Sequence, residues 1–250
     1  MRVALLTNTS CRVNAAVRDV LIDAAEIELA HVFLYDTLGE FKRHPIRTIQ
    51  QFGWLPVLQK AQHIFAPGLK RQSDVGPLSA RQWCQENELP HTVVANMNDA
   101  ESVSQLQSVG ADALIVCVCK NILKKPALDA CKFGAINIHP SLLPKYRGPC
   151  PTFWARYHQD ERIGVTIHRM TTKIDSGNIL GQEAIDADYR LTDNEIEASL
   201  FHLAADQLPT VLERIATGDS THETAIELGA AYFPFPTAAQ RRELSVRQLQ

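Results

Sequence analysis

Three residues have types and spacing that suit chemistry at a carbonyl: Asn137 and His139 in the stretch 135–148, AINIHPSLLPKYRG, and Asp175 in the later run KIDSGNILGQ. A carboxamide N–H can stabilise a developing oxyanion. An imidazole can do the same or move a proton, and a carboxylate can orient the imidazole or a water. Ile136 and Ile138 alternate with Asn137 and His139, so on a strand the apolar pair faces one way and the polar pair the other. Pro140 has no N–H for a sheet ladder, which places His139 near the carboxyl end of that strand. In an open parallel sheet that edge is where ligands bind. Taken alone, Asn-x-His is a weak signal, because a strand-end histidine is more often a satisfied structural group than a catalyst.

The elements that must position these residues follow from periodicity. Residues 2–7 form a short apolar run followed by a turn and the helical pattern NAAVRDVLIDAAE, the opening of a nucleotide-binding-like α/β unit. Strands are predicted over 27–35 and 92–95. Helices are predicted over 77–88, with Ser79 as cap, and from Asn98 or Asp99 through Val109. The run 113–119, ALIVCVC, is apolar on both faces and should lie centrally in a parallel sheet, with Cys117 and Cys119 on one side as buried thiols. A short helix is expected over 152–157. Strands are expected over 163–170 and 178–185, joined by a turn whose Gly177 tolerates positive φ. Thr192 and Glu195 make a capping box for a helix through Thr217, in which Pro209 predicts a kink or break. Pro234 and Pro236 hold 232–237 extended, where it covers part of the site or the adjoining surface. The reading is an α/β fold with an open, mostly parallel Rossmann-like sheet and helices on both faces. It has a catalytic domain over 1–190, and a C-terminal helix and tail over 191–250 packed on it.

At 250 residues, with 45% hydrophobic and 21% charged residues, the chain has enough apolar sequence for a proper core. A net charge of −3 gives no general attraction to nucleic acid. No apolar run reaches membrane-spanning length and the N-terminus lacks a secretory apolar core, so a cytoplasmic protein with no membrane partner is expected. The six cysteines lack the paired spacing of zinc or redox motifs, and no metal is expected. The segment 41–72 mixes Lys42, Arg43, His44, Arg47, Lys60, His63, Lys70 and Arg71 with Phe52, Trp54 and Phe65. Its charges are scattered, which favours a solvated amphipathic face or a subunit contact in a homodimer over an anion-binding surface.

The longer pattern resembles the folate-dependent formyltransferase family, which includes glycinamide ribonucleotide, methionyl-tRNA and sugar-nucleotide formyltransferases. Its block Asn-x-His-x-Ser-Leu-Leu-Pro-x-x-x-Gly is matched at Asn137, His139, Ser141, Leu142, Leu143, Pro144 and Gly148. The second block is matched at Gly164, Thr166, His168, Asp175 and Gly177. The resemblance implies Asn137, His139 and Asp175 as the catalytic set and 10-formyltetrahydrofolate as the formyl donor, without a metal. It further implies Lys120, Asn121, Ile122, Leu123, Thr172, Lys173 and Ile174 around the folate, with main-chain groups near Ile122 and Leu123 reading the pterin edge. His168 is a family feature expected to be structural or supporting.

Acceptor contacts are assigned to Ser141, Arg147, Arg12 and Asn14. Arg147 suits a phosphate or the folate tail carboxylate, and equally a surface salt bridge. The first turn has no glycine between Asn8 and Asn14, which argues against glycinamide ribonucleotide. Methionyl-tRNA formyltransferases carry a further β-barrel for which this length leaves no room. The expected acceptor is therefore a primary amine on a small molecule, and nucleic acid is not expected as a partner. Two alternatives stay open: hydrolysis of the formyl donor to formate, and a methionyl-tRNA formyltransferase-like activity.

Overall fold

The computed structural model describes residues 1–36, 77–226 and 232–247. The basic and aromatic segment 41–72, His63 included, lies outside the described residues. In chain order the elements are β1 (Arg2–Asn8), α1 (Ala15–Asp23), β2 (Glu28–Tyr35), α2 (Ala80–Glu86), β3 (His91–Val94), α3 (Ala100–Val109), β4 (Ala113–Cys117) and α4 (Lys125–Leu128). They continue as β5 (Ala135–His139), α5 (Pro151–Tyr157), β6 (Arg162–Arg169), β7 (Ile179–Asp186), α6 (Asp193–Thr217) and α7 (Ala238–Arg247). The described strands form one sheet in the order β3-β2-β1-β4-β5-β6-β7. Pairs from β3 to β5 are parallel, and β6 and β7 are antiparallel.

Both faces of the sheet are covered. Alternate residues such as Val3, Leu5, Ile115, Ile136 and Ile138 pack with α1, α2 and α6, while Ala4, Leu6, Leu114 and Val116 pack with α3 and α4. This alternation through β4 explains why a strand buried on both sides, with all five residues buried, reads as continuously apolar. The strand order reverses direction between β1 and β4, and the crevice at such a switch point lies at the carboxyl ends of the strands. His139 ends β5 at that edge.

The helix caps follow the sequence signals. Ser79 and Thr192 each make a reciprocal capping box, with Gln82 and Glu195. Asp99 is the cap residue of α3, although its side chain makes no capping hydrogen bond. Three local expectations fail. β4 stops at Cys117, because Val118 turns to φ 56, so Cys119 leaves the strand and is half-buried. α6 runs unbroken through Pro209. An internal proline costs about 3 kcal/mol, but Ile196, Leu200, Leu208, Val211, Leu212 and Ile215 are buried along the helix. At roughly 1.5–3 kcal/mol each, their burial outweighs the lost hydrogen bond. Finally, Gly177 is needed for space and not for positive φ: a Cβ there would lie 1.9 Å from the Arg169 carbonyl oxygen.

All six cysteines are thiols outside any disulfide, and burial raises those of Cys84 and Cys131 to about 11. No described helix is long and apolar enough to cross a membrane.

Glu197 on α6 provides a test of burial. Its Oε1 accepts a hydrogen bond from the Thr152 hydroxyl at 3.3 Å, and burial pushes the carboxyl up to about 7, with Asp193 adding to the shift. The folded chain therefore holds this proton more tightly than the unfolded chain. The associated stability is fully present below the ordinary glutamate range and is lost as pH rises through about 7. Glu197→Gln should raise unfolding free energy by on the order of 3 kcal/mol at pH 8 and by under about 1 kcal/mol at pH 5. Urea titrations at the two pH values check this, and equal shifts at both would show that the carboxyl is not desolvated.

Candidate active site

Asn137 and His139 emerge on the same side of β5, as their alternation with Ile136 and Ile138 dictates. The antiparallel register sets Asn137 beside His168 and His139 beside Thr166 on β6. Asn137 Nδ2 donates to His168 Nε2 at 3.1 Å, and His168 Nδ1 donates to the Arg169 carbonyl at 2.9 Å. The second bond places the His168 proton on Nδ1 and leaves Nε2 as an acceptor. Burial holds His168 down to about 4, with Asp175 opposing and His139 adding, so the ring is neutral and fixes the carboxamide's orientation. This role for His168 needed the cross-strand register. The family block implies a structural or supporting histidine here, and the register shows which group it supports.

His139 is buried and its Nε2 donates to the Tyr146 carbonyl at 3.0 Å, which leaves Nδ1 as the basic nitrogen. That nitrogen lies 3.9 Å from Asp175 Oδ2, and Asp175 Oδ1 lies 3.7 Å from His168 Nε2. The Gly148 N–H donates to Asp175 Oδ2 at 2.8 Å. Asn137, His168, Asp175 and His139 thus form one connected group at the carboxyl end of β5. The His139 to Asp175 distance exceeds a direct hydrogen bond, but such contacts commonly tighten when substrate binds.

Three loop residues around this group, Val118, Tyr146 and Asp175, have φ of 56, 57 and 43. Left-handed backbone is tolerated by aspartate, but costs a β-branched valine more. Such outliers persist where the surroundings over-determine them. Thr166 braces the adjoining loop from β6: its hydroxyl donates to the Ser141 carbonyl at 2.6 Å and accepts from the Leu143 N–H at 3.1 Å.

The residues expected around a folate fall into two loops. After β4, Val118 and Ile122 are exposed apolar side chains, 37% and 58% accessible, while Leu123 is buried. Asn121 Oδ1 accepts from the Met97 N–H at 2.6 Å and the Ile122 carbonyl accepts from Asn98 Nδ2 at 2.9 Å, so this turn is shaped before any ligand arrives. Lys120 Nζ lies 5.9 Å from the Phe235 ring centroid. On the loop between β6 and β7, Thr172 and Lys173 are exposed and Ile174 immediately precedes Asp175. Val118 and Ile122 thus present exposed apolar surface beside hydrogen-bonded main chain.

The expected acceptor contacts are engaged elsewhere. Ser141 is buried and its hydroxyl donates to the Lys145 carbonyl at 2.8 Å. Arg147 donates from Nε and Nη2 to the Ile174 carbonyl at 3.1 and 2.6 Å, tying down the loop that carries Asp175. Arg12 donates to the Pro77 carbonyl at 2.7 Å. Asn14 is the cap residue of α1, but its amide turns inward to the Thr7 hydroxyl at 3.0 Å. Short polar motifs do not distinguish a side chain that binds a ligand from one that bonds to its own fold.

Comparison with known proteins identifies the family. The formyl transferase family model covers residues 67–212, more than half of the chain. Methionyl-tRNA formyltransferase of Rhodopirellula baltica is 32% identical over 154 residues, covering 62% of this chain and 46% of that protein. The Thermotoga maritima protein of the same name is 34% identical over 164 residues, covering 66% and 52%. The chain therefore spans about half the length of these curated relatives. Glycinamide ribonucleotide transformylase 1 from Symbiobacterium toebii shares the fold at TM-score 0.62 and 16% identity, covering 91% of this chain and 94% of that one. A 4-N formyltransferase from Francisella tularensis does so at TM-score 0.58 and 17% identity, covering 93% and 75%.

These relatives correct one expectation. A small-molecule acceptor with nucleic acid set aside does not stand against relatives named for methionyl-tRNA. That expectation relied on net charge and on chain length, and neither is a property of the catalytic group. With the matched motif residues gathered at one sheet edge and the family model spanning most of the described sheet, the chain belongs to the formyl transferase family.

Proposed function

We propose that this chain transfers a formyl group from 10-formyltetrahydrofolate to an amine carried on an aminoacyl-tRNA. The donor supplies the activated formyl group, and its pterin would rest against Val118 and Ile122 with main-chain groups of 120–123 and 172–174 at its edge. Asn137 has a second amide N–H beyond the one bound to His168, and this is the donor suited to the developing oxyanion. His139 Nδ1 takes the proton released by the attacking amine, Asp175 stabilises the resulting imidazolium, and the proton passes on to the departing folate nitrogen as its bond to the formyl carbon breaks. No enzyme-bound covalent intermediate is needed, because the amine is itself a competent nucleophile.

The observation that carries this reading is the convergence of Asn137, His139 and Asp175 at the end of β5, with Asp175 Oδ2 3.9 Å from His139 Nδ1 and Asp175 Oδ1 3.7 Å from the His168 ring that orients Asn137. The acceptor class follows the names of the relatives. The test is to incubate the chain with 10-formyltetrahydrofolate and methionyl-tRNA, following tetrahydrofolate by absorbance and formylation of the aminoacyl group by gel shift. Formylated methionyl-tRNA is the expected product. Formate released at the same rate with no amine present would instead identify a hydrolase, and no consumption of donor with this acceptor would overturn the acceptor assignment.

A further inference from the structure

The turn after β5 serves both partners of the proposed catalytic pair. Its Tyr146 carbonyl receives the His139 Nε2–H, and its Gly148 N–H binds Asp175. Tyr146 and Gly148 are left-handed, with φ of 57 and 106, so the turn depends on what packs against it.

What packs against it comes from the far end of the chain. The Phe233 N–H donates to the Arg147 carbonyl at 2.8 Å, and Arg147 and Tyr232 form an isolated parallel bridge. The Phe233 ring meets Tyr146 edge-on at 5.0 Å and lies 5.2 Å from Trp154. Trp154 in turn donates its indole N–H to the Pro234 carbonyl at 3.0 Å. The fit is close: a Cβ on residue 148 would lie 2.4 Å from the Phe233 carbonyl oxygen and 2.7 Å from the Tyr232 ring. Pro234 and Pro236 restrict the segment to extended backbone, which lowers the entropy lost in docking it. Phe235 reaches Lys120 after β4, so the segment crosses from the turn after β5 to the turn after β4.

We propose that residues 232–236 are a positioning strap that holds the 146–148 turn, and through it the tautomer of His139 and the placement of Asp175. The inference rests on the reading of His139 and Asp175 as the catalytic pair. Phe233 and Trp154 are positioning residues in this account, since neither touches the reacting atoms.

The test uses the full chain labelled with 15N-histidine. Wild type should show His139 as the Nε2–H tautomer. Phe233→Ala should convert that signal to a mixture and lower kcat by on the order of tenfold or more, with KM for the formyl donor within about threefold. Tyr157→Phe, which removes only the bond to Glu243 on α7, should leave the His139 signal and the kinetics unchanged. If Phe233→Ala does not fold, Trp154→Phe removes the bond to Pro234 and should give the same tautomer mixture in milder form. A folded Phe233→Ala chain that keeps the wild-type His139 signal overturns the strap. Absence of formyl transfer by wild type would instead defeat the proposed function, and the tautomer measurement would still decide the strap.

Discussion

Replacing Asn137 with alanine should lower kcat by roughly 10²–10³-fold, the usual cost of removing one oxyanion donor from a preorganised site. The expectation rests on how the side chain is held. Asn137 sits mid-strand in β5, between β4 and β6, and its amide is oriented by a histidine that is itself locked by the Arg169 carbonyl. A donor held this way needs no reorganisation as charge develops. Stability should change much less, because the variant removes one half-buried side chain and leaves His168 Nε2 without its donor, a cost of about 1–3 kcal/mol. Steady-state turnover and a thermal melt on the same preparation separate the two effects. A loss smaller than tenfold would remove Asn137 from the oxyanion role.

The second large effect is expected from Asp175→Asn, a change that isolates charge from shape. Asparagine tolerates the left-handed backbone at 175 as well as aspartate does, and its carbonyl can still accept the Gly148 N–H. What disappears is the negative charge facing His139 Nδ1 and His168 Nε2. If that charge stabilises the imidazolium formed on proton uptake, kcat should fall by roughly 10²–10⁴-fold, the range associated with positioned acid–base groups. KM for the donor should be nearly unchanged. Turnover within tenfold of wild type would mean that the carboxylate serves the loop and not the proton.

The two predictions also differ in how legible their residues were. Asn137 could be placed from local pattern, because a period of two and the following proline put it on the polar side of a strand end. The family blocks added Asp175 at its distance along the chain. A turn directly after β4 follows from the sequence, but its left-handed Val118 does not, since nothing in ALIVCVC signals where a buried strand must stop. The residue types of Ser141 and Asn14 suit acceptor contacts. Both lie buried and bonded to groups of the fold, and burial depends on neighbours brought in by other elements. The length argument against a tRNA acceptor failed for a different reason: it weighed what lies beyond the catalytic domain and not the domain itself.

By itself the sequence determined most of the elements, the caps at Ser79 and Thr192, and the side of β5 from which Asn137 and His139 emerge, because periodicity and capping depend on residues a few positions apart. Only the tertiary structure decided the contacts that make a site of these residues. Gly148 reaches Asp175 across 27 positions and Trp154 reaches Pro234 across 80, and both contacts exist because sheet pairing and tail packing bring distant backbone together. A proline in α6 is kept helical by the same physics: burial against the sheet, summed over a whole face, exceeds the local preference of one residue.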